Sequence, residues 1–225
     1  MSLNTVEKID ELVALRNILI SVSDKQGLET LVPGLLTLNP ELRIFSTGGT
    51  FTMLKTLLGS AASAHLTQVS DYTGQPETQG GLVKTLDFKI YLGLLTETYN
   101  EAHQKDLSRT RSVPLDMAVV NLYPFTQTIA DPNVKPEQAR SNIDIGGPCM
   151  IRASAKNFLR VASVVNPSDY PMIVEELKKN NNCTTLAMRY RLAQKAFAHT
   201  AEYDRAISGY LAKTDFNDVS AGYQW

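Results

Sequence analysis

Arg43-Ile44-Phe45-Ser46-Thr47-Gly48-Gly49-Thr50 decides the fold: an apolar run stops at small hydroxyl and glycine residues, and the helical pattern of 51–58 follows at once. A strand that passes directly into a helix in this way can build an anion site. Glycines admit close approach of the backbone, Ser46, Thr47 and Thr50 supply hydroxyls, and the free N–H groups of the helix start add partial positive charge. The other reading is steric, a Gly-Gly turn that merely joins strand to helix. A second segment favours the anion. Asn17-Ile18-Leu19-Ile20-Ser21-Val22-Ser23-Asp24-Lys25 is again an apolar strand ending in polar residues, with Gly27 and an apolar helical pattern behind it. Ligands of open α/β sheets bind outside the carboxyl ends of the strands, so Ser21, Ser23 and Lys25 are expected to face the same phosphate as Ser46, Thr47, Gly48, Gly49 and Thr50. Neither segment has the spacing of a P-loop or the Gly-x-Gly-x-x-Gly fingerprint, which favours a monophosphate over a dinucleotide.

Working outward, strand candidates fall at 17–22, 42–45, 65–69, 90–95, 116–122 and 161–165, with helical or loop material between most of them. Such alternation predicts an α/β protein of three layers, with a mostly parallel central sheet of about five strands. Residues 117–122 are nearly all apolar up to Asn121, as suits a central strand covered on both faces. Pro33 interrupts the helical pattern of 27–38 and either kinks that helix or ends it near Val32. Beyond Ala153 the pattern turns mainly helical, with helices expected at 171–179 and 185–212. The expected organisation is a core over 14–152, a helical extension of the same domain over 153–212, and a loosely structured tail over 213–225.

Composition narrows the function. The chain has 225 residues, 43% of them hydrophobic, enough to bury a core. Its 22 basic and 23 acidic residues give a net charge of −1, which argues against nucleic acid or an anionic membrane surface as partner. Any anion must then be held by local design. Cys149 and Cys183 are far apart and fit no disulfide framework or zinc-ligand spacing, so free thiols and no metal are expected. No apolar run reaches the roughly 18 residues of a bilayer span, and the first dozen residues are too polar for a signal peptide, so a cytoplasmic protein is expected.

Further segments stand at expected strand ends or helix starts: Gly80-Gly81-Leu82-Val83-Lys84-Thr85, Asn121-Leu122-Tyr123-Pro124-Phe125, Asn142-Ile143-Asp144-Ile145-Gly146-Gly147 and Arg152-Ala153-Ser154-Ala155-Lys156-Asn157. Together with Ser21 to Lys25, Ser46 to Thr50, Tyr72-Thr73-Gly74 and Ala196-Phe197-Ala198-His199-Thr200-Ala201, they carry a resemblance. The chain resembles the inosine-monophosphate cyclohydrolase domain of the bifunctional purine biosynthesis proteins, within the methylglyoxal-synthase-like superfamily. The resemblance implies ring closure of a formamido-imidazole-carboxamide ribonucleotide to IMP with loss of water, in purine biosynthesis, without metal or organic cofactor. It implies Asp144 as base toward the carboxamide nitrogen with Lys156 near it, and Lys84 and Tyr123 as donors toward the formyl oxygen. The backbone N–H groups of Ile145 and Gly146 would be further oxyanion donors. Thr85 and Asn121 join the expected substrate contacts. The implied ligand is a purine ribonucleotide monophosphate and the implied assembly a homodimer.

Taken singly these residues have plainer readings: solvated charges for the Lys and Asp residues, a structural tyrosine before Pro124, and a core or surface histidine at 199. The chain also departs from the family pattern, which has arginine at Leu82, His-Pro at Asp87-Phe88, histidine at Tyr91 and Phe158, and alanine at Ser154. Losing the arginine removes a forked donor, and Asp87 is expected to bring negative charge to the substrate pocket. An active cyclohydrolase with a rebuilt pocket and a paralogue acting on a related purine intermediate both follow. A regulatory module that binds a nucleotide, like the allosteric domain of carbamoyl-phosphate synthetase, is a rival from another class; methylglyoxal synthase, a lyase, is a third. The formyltransferase half of the bifunctional proteins lies outside this sequence, so either a separate formyltransferase serves it or the sequence is one domain of a longer chain.

Overall fold

Aliphatic residues run without polar interruption through 18–20 and 117–120, and such runs satisfy their backbone and bury both faces only as inner strands. The computed structural model describes residues 5–76 and 84–224. Its strands are β1 (Leu12–Ala14), β2 (Asn17–Ser21), β3 (Arg43–Ser46), β4 (Leu66–Gln68), β5 (Met117–Val120), β6 (Ala162–Val164) and β7 (Cys183–Thr185). The helices are α1 (Leu28–Leu38), α2 (Gly48–Leu58), α3 (Ala62–His65), α4 (Val69–Thr73), α5 (Phe88–Leu95), α6 (Glu101–Thr110), α7 (Phe125–Ile129), α8 (Pro136–Ser141), α9 (Gly146–Lys156), α10 (Tyr170–Lys179), α11 (Leu186–Lys213) and α12 (Phe216–Ser220).

Five strands form a parallel sheet in the order β4-β3-β2-β5-β6. The period of two then sorts their side chains into two cores. Ile18, Ile20, Met117 and Val119 face α1 and α10, whereas Leu19, Phe45, Ala118 and Val120 face α5, α9 and α11. Helices on both faces make the expected three layers. The chain leaves β2 toward β3 and β4 on one side and returns to β5 on the other. The loops after β2 and β5 therefore diverge, and a crevice opens at the carboxyl ends of the two inner strands.

Several expectations need correction. Residues 90–95 are helix, not strand: Asp87 accepts a hydrogen bond from the Lys89 N–H at 2.8 Å, and this N-cap starts α5. Pro33 does not end α1, which runs on to Leu38 with the proline on its exposed side. A two-stranded antiparallel ribbon, β1 with β7, was not anticipated. It is fixed by Arg189, a side chain with no exposure to solvent. Its guanidinium donates to the carbonyls of Asp10, Glu11, Phe158, Leu159 and Thr184, which satisfies a buried charge without a carboxylate. The tail is not loose throughout, since it contains α12, which lies against α8. Among the described residues no helix is long and apolar enough to cross a membrane.

Candidate active site

The crevice is a cavity of about 380 Å³ lined by the loops after β2, β3 and β5, by Lys84 to Leu86, and by the segment from Ser141 to the start of α9. Fourteen of the sixteen sequence-derived candidates line it: Ser21, Ser23, Lys25, Thr47, Gly48, Gly49, Thr50, Lys84, Thr85, Asn121, Tyr123, Asp144, Ile145 and Gly146. Two do not. Ser46 is fully buried and donates to the Ile20 carbonyl at 2.7 Å, so its hydroxyl ties β3 to β2. Lys156 is exposed at the far end of α9, ten residues and about 15 Å along the axis from Gly146. Gly80, Gly81, Leu82 and Val83 lie outside the described residues.

The phosphate-binding expectation divides by chemistry. Thr50 Oγ1 donates to the Val22 carbonyl at 2.9 Å and accepts from the Val22 N–H at 3.1 Å, so this hydroxyl is used within the protein. Asn121 is used likewise: its Oδ1 accepts from the N–H groups of Ser23 and Asp24 at 2.7 and 2.9 Å, and its Nδ2 donates to the Asp24 carbonyl. These two residues shape the cradle. Thr47, the N-cap of α2, does not cap with its side chain but meets Ser21 Oγ at 3.1 Å, leaving the first N–H groups of α2 to the cavity. Two ammonium groups stand beside that helix start. A Cβ built at Gly48 would lie 3.3 Å from Lys84 Nζ, and one built at Gly49 would lie 3.9 Å from Lys25 Nζ. Gly48 itself has φ of +48°, a left-handed conformation that suits glycine. A helix dipole and two cations converging on a glycine turn attract an anion.

The segment before α9 carries the carboxylate. Asp144 Oδ1 accepts from the Gly147 N–H at 2.9 Å, and the carboxylate also accepts from the Tyr123 backbone N–H. Burial is the largest influence on this group and raises its pKa above the ordinary carboxylate value, against the two N–H donors that lower it. Asp144 is thus a carboxylate made more basic than usual, in the cavity that Lys25 and Lys84 also line. Half of the Tyr123 surface is exposed at the rim. Gly146 is required by crowding, because a Cβ there would lie 2.6 Å from Thr85 Oγ1.

Sequence reasoning gave no site role to Val22, Leu86, Ser141, Ile143, Gly147 and Met150, which also line the cavity. It also misplaced the departures. Asp87 does not bring charge into the cavity: it is 5% exposed, caps α5 and does not line the site. Tyr91 sits against Cys149, its hydroxyl pKa pushed up by burial first and by that thiol second. Ser154 bonds Ser163 Oγ at 2.8 Å between α9 and β6, and Phe158 meets Tyr190 edge to face with centroids 5.2 Å apart. None of these four residues lines the cavity, and Leu82 lies outside the described residues.

Most of the chain matches known families and proteins. Residues 27–149 match the MGS-like domain family, and residues 154–224 match the AICARFT/IMPCHase bienzyme family. The "Bifunctional purine biosynthesis protein PurH" of Prochlorococcus marinus is 47% identical over 195 residues, covering 87% of this chain and 36% of that protein. The protein of the same name from a Thermoanaerobacter species is 47% identical over 206 residues, covering 90% of this chain and 39% of that one. The chain therefore spans little more than a third of the length of these curated relatives. Among solved structures, "Crystal structure of ForH" superimposes with a TM-score of 0.72 at 29% identity, over 86% of this chain and 97% of that one. By fold, by the order of its motifs and by these matches, the chain belongs to the MGS-like domain family, in the form found in the cyclohydrolase part of the bifunctional purine biosynthesis proteins.

Proposed function

We propose that this chain is an IMP cyclohydrolase that closes the six-membered ring of a formamido-imidazole-carboxamide ribonucleotide. The observation that carries the reading is that Lys84, Tyr123 and Asp144, from three separate segments, line one cavity with the Gly48-Gly49 helix start. The phosphate would lie on the N–H groups of α2 between Lys25 and Lys84. The imidazole substituents would then reach Asp144. Asp144 accepts a proton from the carboxamide nitrogen as that nitrogen attacks the formyl carbon, forming the C–N bond. The formyl oxygen takes the displaced electron pair and is met by Lys84, Tyr123 or the N–H groups of Ile145 and Gly146. The formyl oxygen is protonated, and loss of the proton on the formamido nitrogen then forms the ring C=N bond and expels the oxygen as water, its two hydrogens balancing the one lost from each nitrogen. Both reacting groups belong to one molecule, which makes alignment rather than assembly the task of the site.

The presence of Lys84, Tyr123 and Asp144 together on the cavity wall supports turnover over binding alone, because a mere binder has no need of the three together. Mixing the protein with the formylated ribonucleotide and following the ultraviolet change on ring closure tests the reading. Asp144→Asn and Lys84→Ala are expected to lower kcat by about a hundredfold or more, the range of single acid–base and oxyanion groups. The base must be ionised and its pKa lies above the ordinary carboxylate value, so the acid limb of kcat/KM should fall above about pH 4. Binding without turnover by the unaltered chain would make it a nucleotide-binding module instead.

A further inference from the structure

Tyr203 stands on α11, 59 residues after Asp144, yet its hydroxyl makes its hydrogen bonds in the loop that carries that carboxylate. The Asp144 N–H donates to Tyr203 Oη at 2.9 Å, and Tyr203 Oη donates to the Asn142 carbonyl at 3.2 Å. One hydroxyl has one proton and two lone pairs, so both bonds form together. They bridge the backbone on either side of Ile143, immediately before the carboxylate and the Ile145 and Gly146 N–H groups. The ring has a second task. It meets Phe125 edge to face, with centroids 6.1 Å apart, and Phe125 closes the segment that presents Tyr123. Tyr203 itself is 8% exposed and does not line the cavity. A single side chain outside the site therefore touches both the Asp144 loop and the Tyr123 segment, one through the hydroxyl and the other through the ring.

We infer that Tyr203 is a positioning residue that sets the Asp144 loop and the Tyr123 segment in register with each other. The inference rests on the proposed ring closure for its catalytic consequence, but not for its structural one. Asp144 is then held at both ends, its backbone by Tyr203 and its carboxylate by the Gly147 and Tyr123 N–H groups. Without the hydroxyl the loop is free to relax toward water, which removes part of the burial that raises the carboxyl pKa. Tyr123 and Asp204 are the other titratable groups that bear on Tyr203 beside Asp144, and both stay in place when Tyr203 is changed. Lys25, Lys84 and the Gly48-Gly49 turn take no part in these bonds and are left untouched.

Tyr203→Phe keeps the ring and removes both bonds. In the full chain, carboxyl titration of Asp144 by carbon NMR should move to lower pH, and amide exchange over 142–147 should quicken at least tenfold while exchange in the β2–β5 core holds. With the formylated ribonucleotide, kcat should fall about tenfold or more with KM within about twofold, because misalignment acts on the chemical step. A purely structural hydroxyl would lower the melting temperature and leave the Asp144 titration and the kcat of the folded protein unchanged, which would overturn the inference. Should Tyr203→Phe fold poorly, Phe125→Leu loosens the seat of the ring with the hydroxyl kept, and an unchanged titration there would overturn it equally. If the unaltered chain shows no ring closure, the functional reading fails by itself, and titration and exchange still decide the role of Tyr203.

Discussion

At Gly147 a Cβ would lie 2.5 Å from Leu122 Cδ2 and 2.6 Å from Asp144 Oδ2, and the neighbours are a core side chain and the carboxylate itself. Neither can yield without moving the site. Gly147→Ala is expected to destabilise by about 1–3 kcal/mol, as overpacking does, and to lower turnover of the folded protein by more than tenfold. Unfolding in urea and ring-closure kinetics check the two effects separately. Gly49 is the counterexample, since a Cβ there would only touch Lys25 at an ordinary 3.8 Å. At this scale the sequence was legible wherever turn chemistry and a charged residue coincide, as at Lys25, Gly48 and Asp144. It was illegible for hydroxyls and amides. Ser46, Thr50 and Asn121 look like ligand donors in sequence, but a polar side chain at a strand end bonds whichever partner is near, and here that is the neighbouring loop. Tyr203 could not be read at all, because only the tertiary fold brings it to Asp144.

Among the elements, α5 shows why a short apolar run misleads. Residues 90–95 are long enough for a strand and too short to reveal a helical period, and the deciding signal is the Asp87 cap just ahead. β1 and β7 were missed for a similar reason, since three residues carry no alternation. The end of α5 is tied to the sheet by charge. Arg160 donates to the carbonyls of Gly93, Thr96 and Leu115 and to Asp116 Oδ1, while Asp116 Oδ2 accepts from the N–H groups of Arg16 and Asn17. Both side chains are buried, so removing one leaves an uncompensated charge. Asp116→Ala should cost about 3–5 kcal/mol, measured by chemical unfolding, whereas exposed pairs such as Arg109 with Asp106 should contribute little.

Over the whole molecule the parallel sheet and its two helical layers were legible, because alternating strand and helix patterns admit few other folds. The site followed from the sheet, since strand order places a crevice where the loops diverge. A phosphorylated ligand bound there only by the folded chain must raise its stability. Purine ribonucleotide monophosphate at a hundred times its Kd should add about 2.7 kcal/mol, read as a rise in Tm, and Lys25→Ala should remove most of that rise.

The cradle formed by Thr50 with Val22, Asn121 with Ser23 and Asp24, and Ser21 with Thr47 is cross-linked through its own side chains. Its loops thus lose their conformational entropy when the chain folds and not when a guest arrives. On the proposed function, a nucleotide entering such a socket would surrender mainly its own freedom of motion, leaving more of its binding energy for aligning the two ends of the ring-to-be.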